Sequence, residues 1–253
     1  MPPNQKIDKR RIGDFINIPG DYQYRAFHEG SAPQRFWHFG KYQEAKRWLQ
    51  PRAGETILDV GCGSGVFSSL IANHKETTII GIDSNPRAIA FATQTFKNPN
   101  LQFQVGLIDE LDYPRESVDK ITFLEVIEHM YEEQGEKMLK TFYSILRKKG
   151  RLVITTPNAI SLWPIIEKFL DFSNLVPHLS GDQHINLYTA NQLVTLGEDI
   201  GFQTVTCRSI NFLAPWMALL NWNLAIKMHA LEQKMTNKWG NILLVCFEKP
   251  AVG

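Results

Sequence analysis

ETILDVGCGSG, residues 55–65, sets a short aliphatic and β-branched run directly against three alternating glycines. Such a run fits a strand buried on both faces, and a strand that stops at glycine can turn tightly with its backbone amides uncovered. The following VFSSLIANH (66–74) reads as a helix, so the whole is strand, glycine turn, helix. Gly61, Gly63 and Gly65 let backbone approach a ligand closely and aim the first amides of the helix at it. A tight turn without a ligand is the plainer alternative, but three alternating glycines exceed what a turn needs. A dinucleotide fingerprint would be GxGxxG, whereas Val66 takes the last glycine position here and leaves the shorter GxGxG.

The same alternation continues outward. TTIIGID (77–83), LQFQV (101–105), DKITFLEV (119–126), GRLVITT (150–156), TVTCRSI (204–210) and NILLVCFEK (241–249) read as strands. Helices fall between them at NPRAIAFATQTF (85–96), with Pro86 where a helix start tolerates it, and at 131–149. This pattern predicts an α/β fold: a doubly wound, mostly parallel, seven-stranded sheet. TANQLVTLGEDIGF (189–202) adds a helix with Thr189 and Gln192 as a capping box and Gly201 as its stop. Residues 22–50 read as helical around the turn-like HEGSAP, giving an N-terminal helical lid over 1–50. The main domain then spans 51–253, with cap insertions at about 159–188 and 211–238, the second a long, largely apolar helix over 213–237.

Composition narrows the function. The 253 residues carry 27 Lys and Arg against 26 Asp and Glu, so a net charge of +1 supplies no field to hold a polyanion, and a nucleic-acid partner is disfavoured. The three cysteines, Cys62, Cys207 and Cys246, are too scattered for a disulfide framework or a cysteine zinc site. With a polar, basic start, no secretory h-region and no long apolar run, the expected location is cytoplasmic.

Asp83 ends the second strand, where a carboxylate can accept from both hydroxyls of a ribose; with Ser84 and Asn85 it also suits capping of the next helix, and both roles can hold together. ETILDVGCGSG, IIGIDSNP, VDKITFLEVIEH, KKGRLVITTPN and QHINLYTANQLVTLGEDIGF, in this order, resemble the class I methyltransferases that use S-adenosylmethionine (SAM). The resemblance covers about residues 45–205 and looks closest to the branch that includes ubiquinone-pathway O-methyltransferases. It implies that Asp59 and the loop of Gly61, Cys62, Gly63 and Gly65 hold the amino-acid end of SAM, and that Asp83 with Ser84 holds the ribose. It further implies that Leu107 and Ile108 lie against the adenine and that Leu124 lines the pocket beneath the sulfonium. Relatives often carry an Asp right after the glycine that follows the third strand; here Gly106 is followed by Leu107, and Asp109 comes two residues late. RFWHFGKY (35–42) then reads either as a lid in which Trp37 and Tyr42 shield the site and Lys41 meets the SAM carboxylate, or as a surface helix.

EVIEH (125–129) places two carboxylates and an imidazole after the fourth strand, at the sheet edge where doubly wound folds bind ligands. If EVIEHM opens a helix, Glu125, Glu128 and His129 share one face at i, i+3 and i+4. Three roles are open for them: acids stabilised by a helix N-terminus, His129 as a general base oriented by Glu125, or a divalent cation site. The resemblance bears on the last. Some ubiquinone-pathway enzymes, and metal-dependent methyltransferases of small-RNA 3′ ribose, share E-x-x-E-H and a later histidine, and His184 stands at that place. Glu125, Glu128, His129 and His184 are therefore the metal candidates, with magnesium the cation implied.

The resulting expectation is methyl transfer from SAM to a hydroxyl of a small-molecule or lipid-like acceptor. Trp216, Leu219, Leu220 and Trp222 in the second cap fit either packing or peripheral contact with a membrane surface. A metal-dependent RNA ribose 2′-O-methyltransferase is one alternative, and a methyltransferase-like binding module without turnover is another. A nicotinamide-dependent oxidoreductase is the third, since Tyr42-x-x-x-Lys46 has a dehydrogenase spacing, although it lies on the wrong side of the glycine loop.

Overall fold

The computed structural model describes residues 19–73, 76–161, 185–235 and 239–251. Helices α1 (Tyr22–His28) and α2 (Ala32–Leu49) lead into β1 (Thr56–Val60), α3 (Val66–Ile71), β2 (Thr78–Asp83), α4 (Pro86–Thr95) and β3 (Leu101–Val105). Then follow β4 (Val118–Leu124), α5 (Glu132–Ile145), β5 (Leu146–Pro157), α6 (Ala190–Ile200), β6 (Gln203–Ile210), α7 (Ala214–Met217), α8 (Trp222–Glu232) and β7 (Ile242–Glu248). The strands form one seven-stranded sheet in the order β3-β2-β1-β4-β5-β7-β6. Strands β1 to β5 pair in parallel, and β7 runs antiparallel to both β5 and β6. The expected doubly wound sheet is thus present, with one reversed strand near an edge.

The central strands are buried on both faces, as their aliphatic runs require. Leu58 and Val60 of β1 join Ile121, Phe123, Phe142, Ile154 and Phe247 on one face, under α5 and α6. Ile57, one register step away, joins Phe67, Ile71, Ile79, Val153, Leu244 and Cys246 on the other, where α2 contributes Tyr42, Ala45 and Leu49. Removing a buried ring such as Phe142 would cost about 3–5 kcal/mol.

Helix ends follow local chemistry. Thr189 accepts from Gln192 N–H and Gln192 answers on Thr189 N–H, the capping box expected for α6, and Gly201 ends that helix at φ 113°. Asn85 caps α4 by accepting from Arg87 and Ala88 N–H. The long helix expected over 213–237 is instead split in two. Asn221 is the cause: its side chain accepts from Asn223 and Leu224 N–H, which starts α8 afresh after α7 has ended. Most of the first cap insertion, 162–184, lies outside the described residues.

Because β7 reverses, the ends of β1 to β6 and the start of β7 lie on one edge. The turns after β1, β2, β3 and β4 and the connection from β6 to β7 therefore converge there.

Candidate active site

The turn after β1 is held by the strand beside it. Gly61 and Cys62 N–H both donate to Ile82 O, at 2.7 and 3.0 Å, and Gly63 N–H donates to Asp83 Oδ2 at 2.8 Å. The other oxygen of Asp83 accepts from Asn85 N–H at 2.8 Å, so one carboxylate ties the glycine loop to the start of α4. Gly61, Gly63 and Gly65 all have positive φ. At Gly61 a Cβ would stand 2.3 Å from Val126 Cγ2, so the loop lies hard against the turn after β4.

Between these turns lies a cavity of about 140 Å³. One side is Gly61, Gly63, Asp83, Ser84, Leu107 and Ile108; the other is Glu125, Val126 and His129, with Met130 and Met138 behind. Six of the sequence-predicted cofactor residues and the sequence-predicted catalytic pair therefore line one space. Other candidates sit elsewhere. Cys62 and Gly65 belong to the loop but do not line the cavity, and the buried Cys62 thiol is pushed well above its ordinary pKa by burial and by Asp83 and Asp59. Leu124 is not in the lining either, and Lys41 is buried with its ammonium 5.3 Å from the Tyr42 ring.

Asp59 lies beneath the loop rather than in the cavity wall. Its carboxylate, 2% exposed, accepts from Ser68 Oγ at 2.6 Å and from Thr122 Oγ1 at 2.8 Å. Burial raises this carboxyl to about 6; the hydroxyl bonds oppose that rise and the Asp83 charge adds to it. The Tyr42 phenol, on α2, is raised by burial first and then by the Asp59 and Glu125 charges, which sets it close to the same acidic wall.

EVIEH does not open a helix. Glu125 N–H still donates to Thr155 O, after which Glu125 turns at φ 55°, residues Ile127–His129 form one 3₁₀ turn, and α5 begins only at Glu132. The three side chains therefore do not share a helical face. Glu125 and His129 line the cavity, and Glu125 Oε1 is buried with no hydrogen-bond partner among the described residues. Glu128 turns inward instead: it is 1% exposed, and its Oε2 accepts from Thr156 Oγ1 at 3.0 Å. Among the described residues, no group of three His, Cys, Asp or Glu is placed to hold a metal ion. His184 lies outside those residues.

Sequence patterns did not single out two residues that line the cavity, Pro19 and Gln23. They precede the glycine loop by some forty positions, in a stretch without a motif.

A family model described as "Methyltransferase domain" matches residues 36–207. A "Probable S-adenosylmethionine-dependent methyltransferase" of Mycolicibacterium smegmatis is 29% identical over 136 residues, 53% of this chain and 51% of that one. A "Ubiquinone biosynthesis O-methyltransferase" of Coxiella burnetii is 28% identical over 164 residues, 62% of this chain and 65% of that one. This chain thus spans about half to two thirds of the length of these curated relatives. Among solved structures, a SAM-dependent methyltransferase from Archaeoglobus fulgidus superposes with a TM-score of 0.64 over 90% of this chain and 99% of that one, at 18% identity.

Proposed function

The chain belongs to the methyltransferase-domain family, and from that premise we propose that it transfers a methyl group from SAM to a hydroxyl of a small or lipid-linked acceptor. The observation that carries this is the shared cavity, where the glycine loop and Asp83 face Glu125 and His129. Family membership removes the nicotinamide oxidoreductase from consideration.

The residues fit SAM. Gly61 and Gly63 line the cavity with bare backbone, Asp83 brings a carboxylate suited to ribose hydroxyls to it, and Leu107 with Ile108 supplies an apolar wall for the adenine. SAM brings a methyl group already activated by its sulfonium charge. The protein's share is then to align the acceptor and remove its proton. His129 takes that proton, an imidazole being the side chain whose ordinary titration lies near neutrality. Glu125 lies across the same space with an oxygen left to orient the imidazole or the acceptor hydroxyl.

The lipid-linked option is supported by the connection from β6 to β7, on the same sheet edge. Trp216, Leu219 and Leu220 are 45%, 64% and 73% exposed there. Lys227 and Lys234 are exposed nearby, while Glu232 is buried with its carboxylate accepting from the N–H groups of Phe212, Leu213 and Ala214. The exposed charge of this element is basic, which suits peripheral contact with an anionic lipid surface.

The test is labelled methyl transfer from SAM into fractionated cell extract, with and without a chelator, by the native protein and by His129→Gln. Label in lipid or small-molecule fractions, lost in the variant, is the expected result. Label in RNA, or a variant as active as the native protein, would overturn the acceptor or the base assignment respectively.

A further inference from the structure

A side chain outside every sequence motif covers the glycine loop. Gln23 Oε1 accepts from Ser64 N–H at 2.8 Å, and the carboxamide fills the space above Gly63: a Cβ there would fall 1.8 Å from Oε1 and 2.4 Å from Nε2. The segment that delivers it is anchored across the cavity. Tyr22 N–H donates to Pro19 O at 3.1 Å, Gly20 packs so closely that a Cβ would stand 2.4 Å from Arg87 O, and the Tyr24 ring meets Phe91 at 5.3 Å. Residues 19–28 therefore bridge from the start of α4 to the glycine loop.

The chemistry of the contact fixes which way the amide points. Ser64 N–H is a donor, so the atom facing it is the carbonyl oxygen, and the NH₂ of Gln23 is the end that remains for a ligand. No lysine or arginine among the described residues lines the cavity, which leaves neutral donors among them to meet an anionic ligand group over the loop. Lys41, the cation that the sequence offers for this purpose, is buried against the Tyr42 ring instead.

We propose that Gln23 binds the carboxylate at the amino-acid end of the cofactor, donating from Nε2 while its oxygen stays on Ser64. This rests on the SAM assignment above and names the residue that meets one end of that ligand.

Isothermal titration with two probes separates the possibilities. S-adenosylhomocysteine carries the amino-acid end, whereas methylthioadenosine has the same nucleoside thioether without it. Gln23→Ala should bind S-adenosylhomocysteine about tenfold more weakly, the loss of one hydrogen bond to a charged group. Gln23→Glu, which sets a carboxylate against a carboxylate, should bind it more weakly still. Both variants should hold methylthioadenosine as the native protein does, and their ligand-free thermal unfolding should confirm an intact fold. Equal weakening of both probes would make Gln23 a loop brace and overturn the proposal, as would unchanged binding of both. If the native protein binds neither probe, the SAM assignment itself falls and takes this one with it.

Discussion

Replacing Asp59 by asparagine separates two roles for that carboxylate, brace of the loop or ligand of the cofactor. The side chain is 2% exposed and gives one oxygen to Ser68 and the other to Thr122. Its folded pKa of about 6 lies above the ordinary value of 3.8. A shift of about two units corresponds to roughly 3 kcal/mol at full development. The sign follows from the direction. Below about pH 4 the carboxyl is protonated folded and unfolded, and its contribution is fully present; as pH rises through about 6 the folded form must lose its proton in a buried place, and that stability is lost. Asparagine never ionises. It still offers an oxygen to one hydroxyl, and its NH₂ can donate to the other once that hydroxyl rotates. Asp59→Asn should therefore match the native protein near pH 4 and exceed it by up to about 3 kcal/mol near pH 7.5, as read from denaturant midpoints at several pH values. S-adenosylhomocysteine binding near pH 7.5 should survive. A stability difference that ignores pH, together with abolished binding, would refute the bracing role and place the carboxylate on the ligand.

Two further outcomes follow from the same geometry. Gly61→Ala must adopt φ near 75° and push its Cβ into Val126; left-handed strain and overpacking together amount to about 2–4 kcal/mol, a fall in Tm on the order of 5–15 °C by calorimetry. Leu219→Glu combined with Leu220→Glu should abolish co-sedimentation with vesicles containing anionic lipid while leaving S-adenosylhomocysteine binding intact. If the native protein does not sediment with such vesicles, the peripheral-contact reading is wrong.

The sheet was legible because its signals are local and repeated. Runs punctuated by Gly, Pro and Asn each carry their own evidence for a strand, and in β1, β4, β5 and β7 burial on both faces leaves little polar register to confuse. Strand order and the reversal of β7 were not written in any one segment, since antiparallel pairing of β7 with β5 and β6 depends on where the β6–β7 connection lands. The split between α7 and α8 was legible in principle: Asn221 followed by an apolar run is a capping signal, outweighed in a reading by hydropathy because Trp222 and Leu224 continue the apolar character.

The site was harder for a physical reason. EVIEH has helical spacing, but β4 continues its pairing through Glu125 N–H to Thr155, and the chain can then leave the sheet only by a sharp turn, taken at φ 55° on a non-glycine residue. That turn sends Glu128 under β5 and leaves Glu125 and His129 at the cavity. Two side chains three positions apart thus end in different environments, one buried with an oxygen on Thr156 and one lining the cavity. Gln23 shows the converse. Nothing in its neighbours marks it, because its role comes from a contact with Ser64, forty-one positions away, that exists only once α1 has crossed the glycine loop. A contact made only by tertiary closure is invisible to spacing. The strained Glu125 and the crossing of α1 are therefore the two features of this site that had to be found in three dimensions.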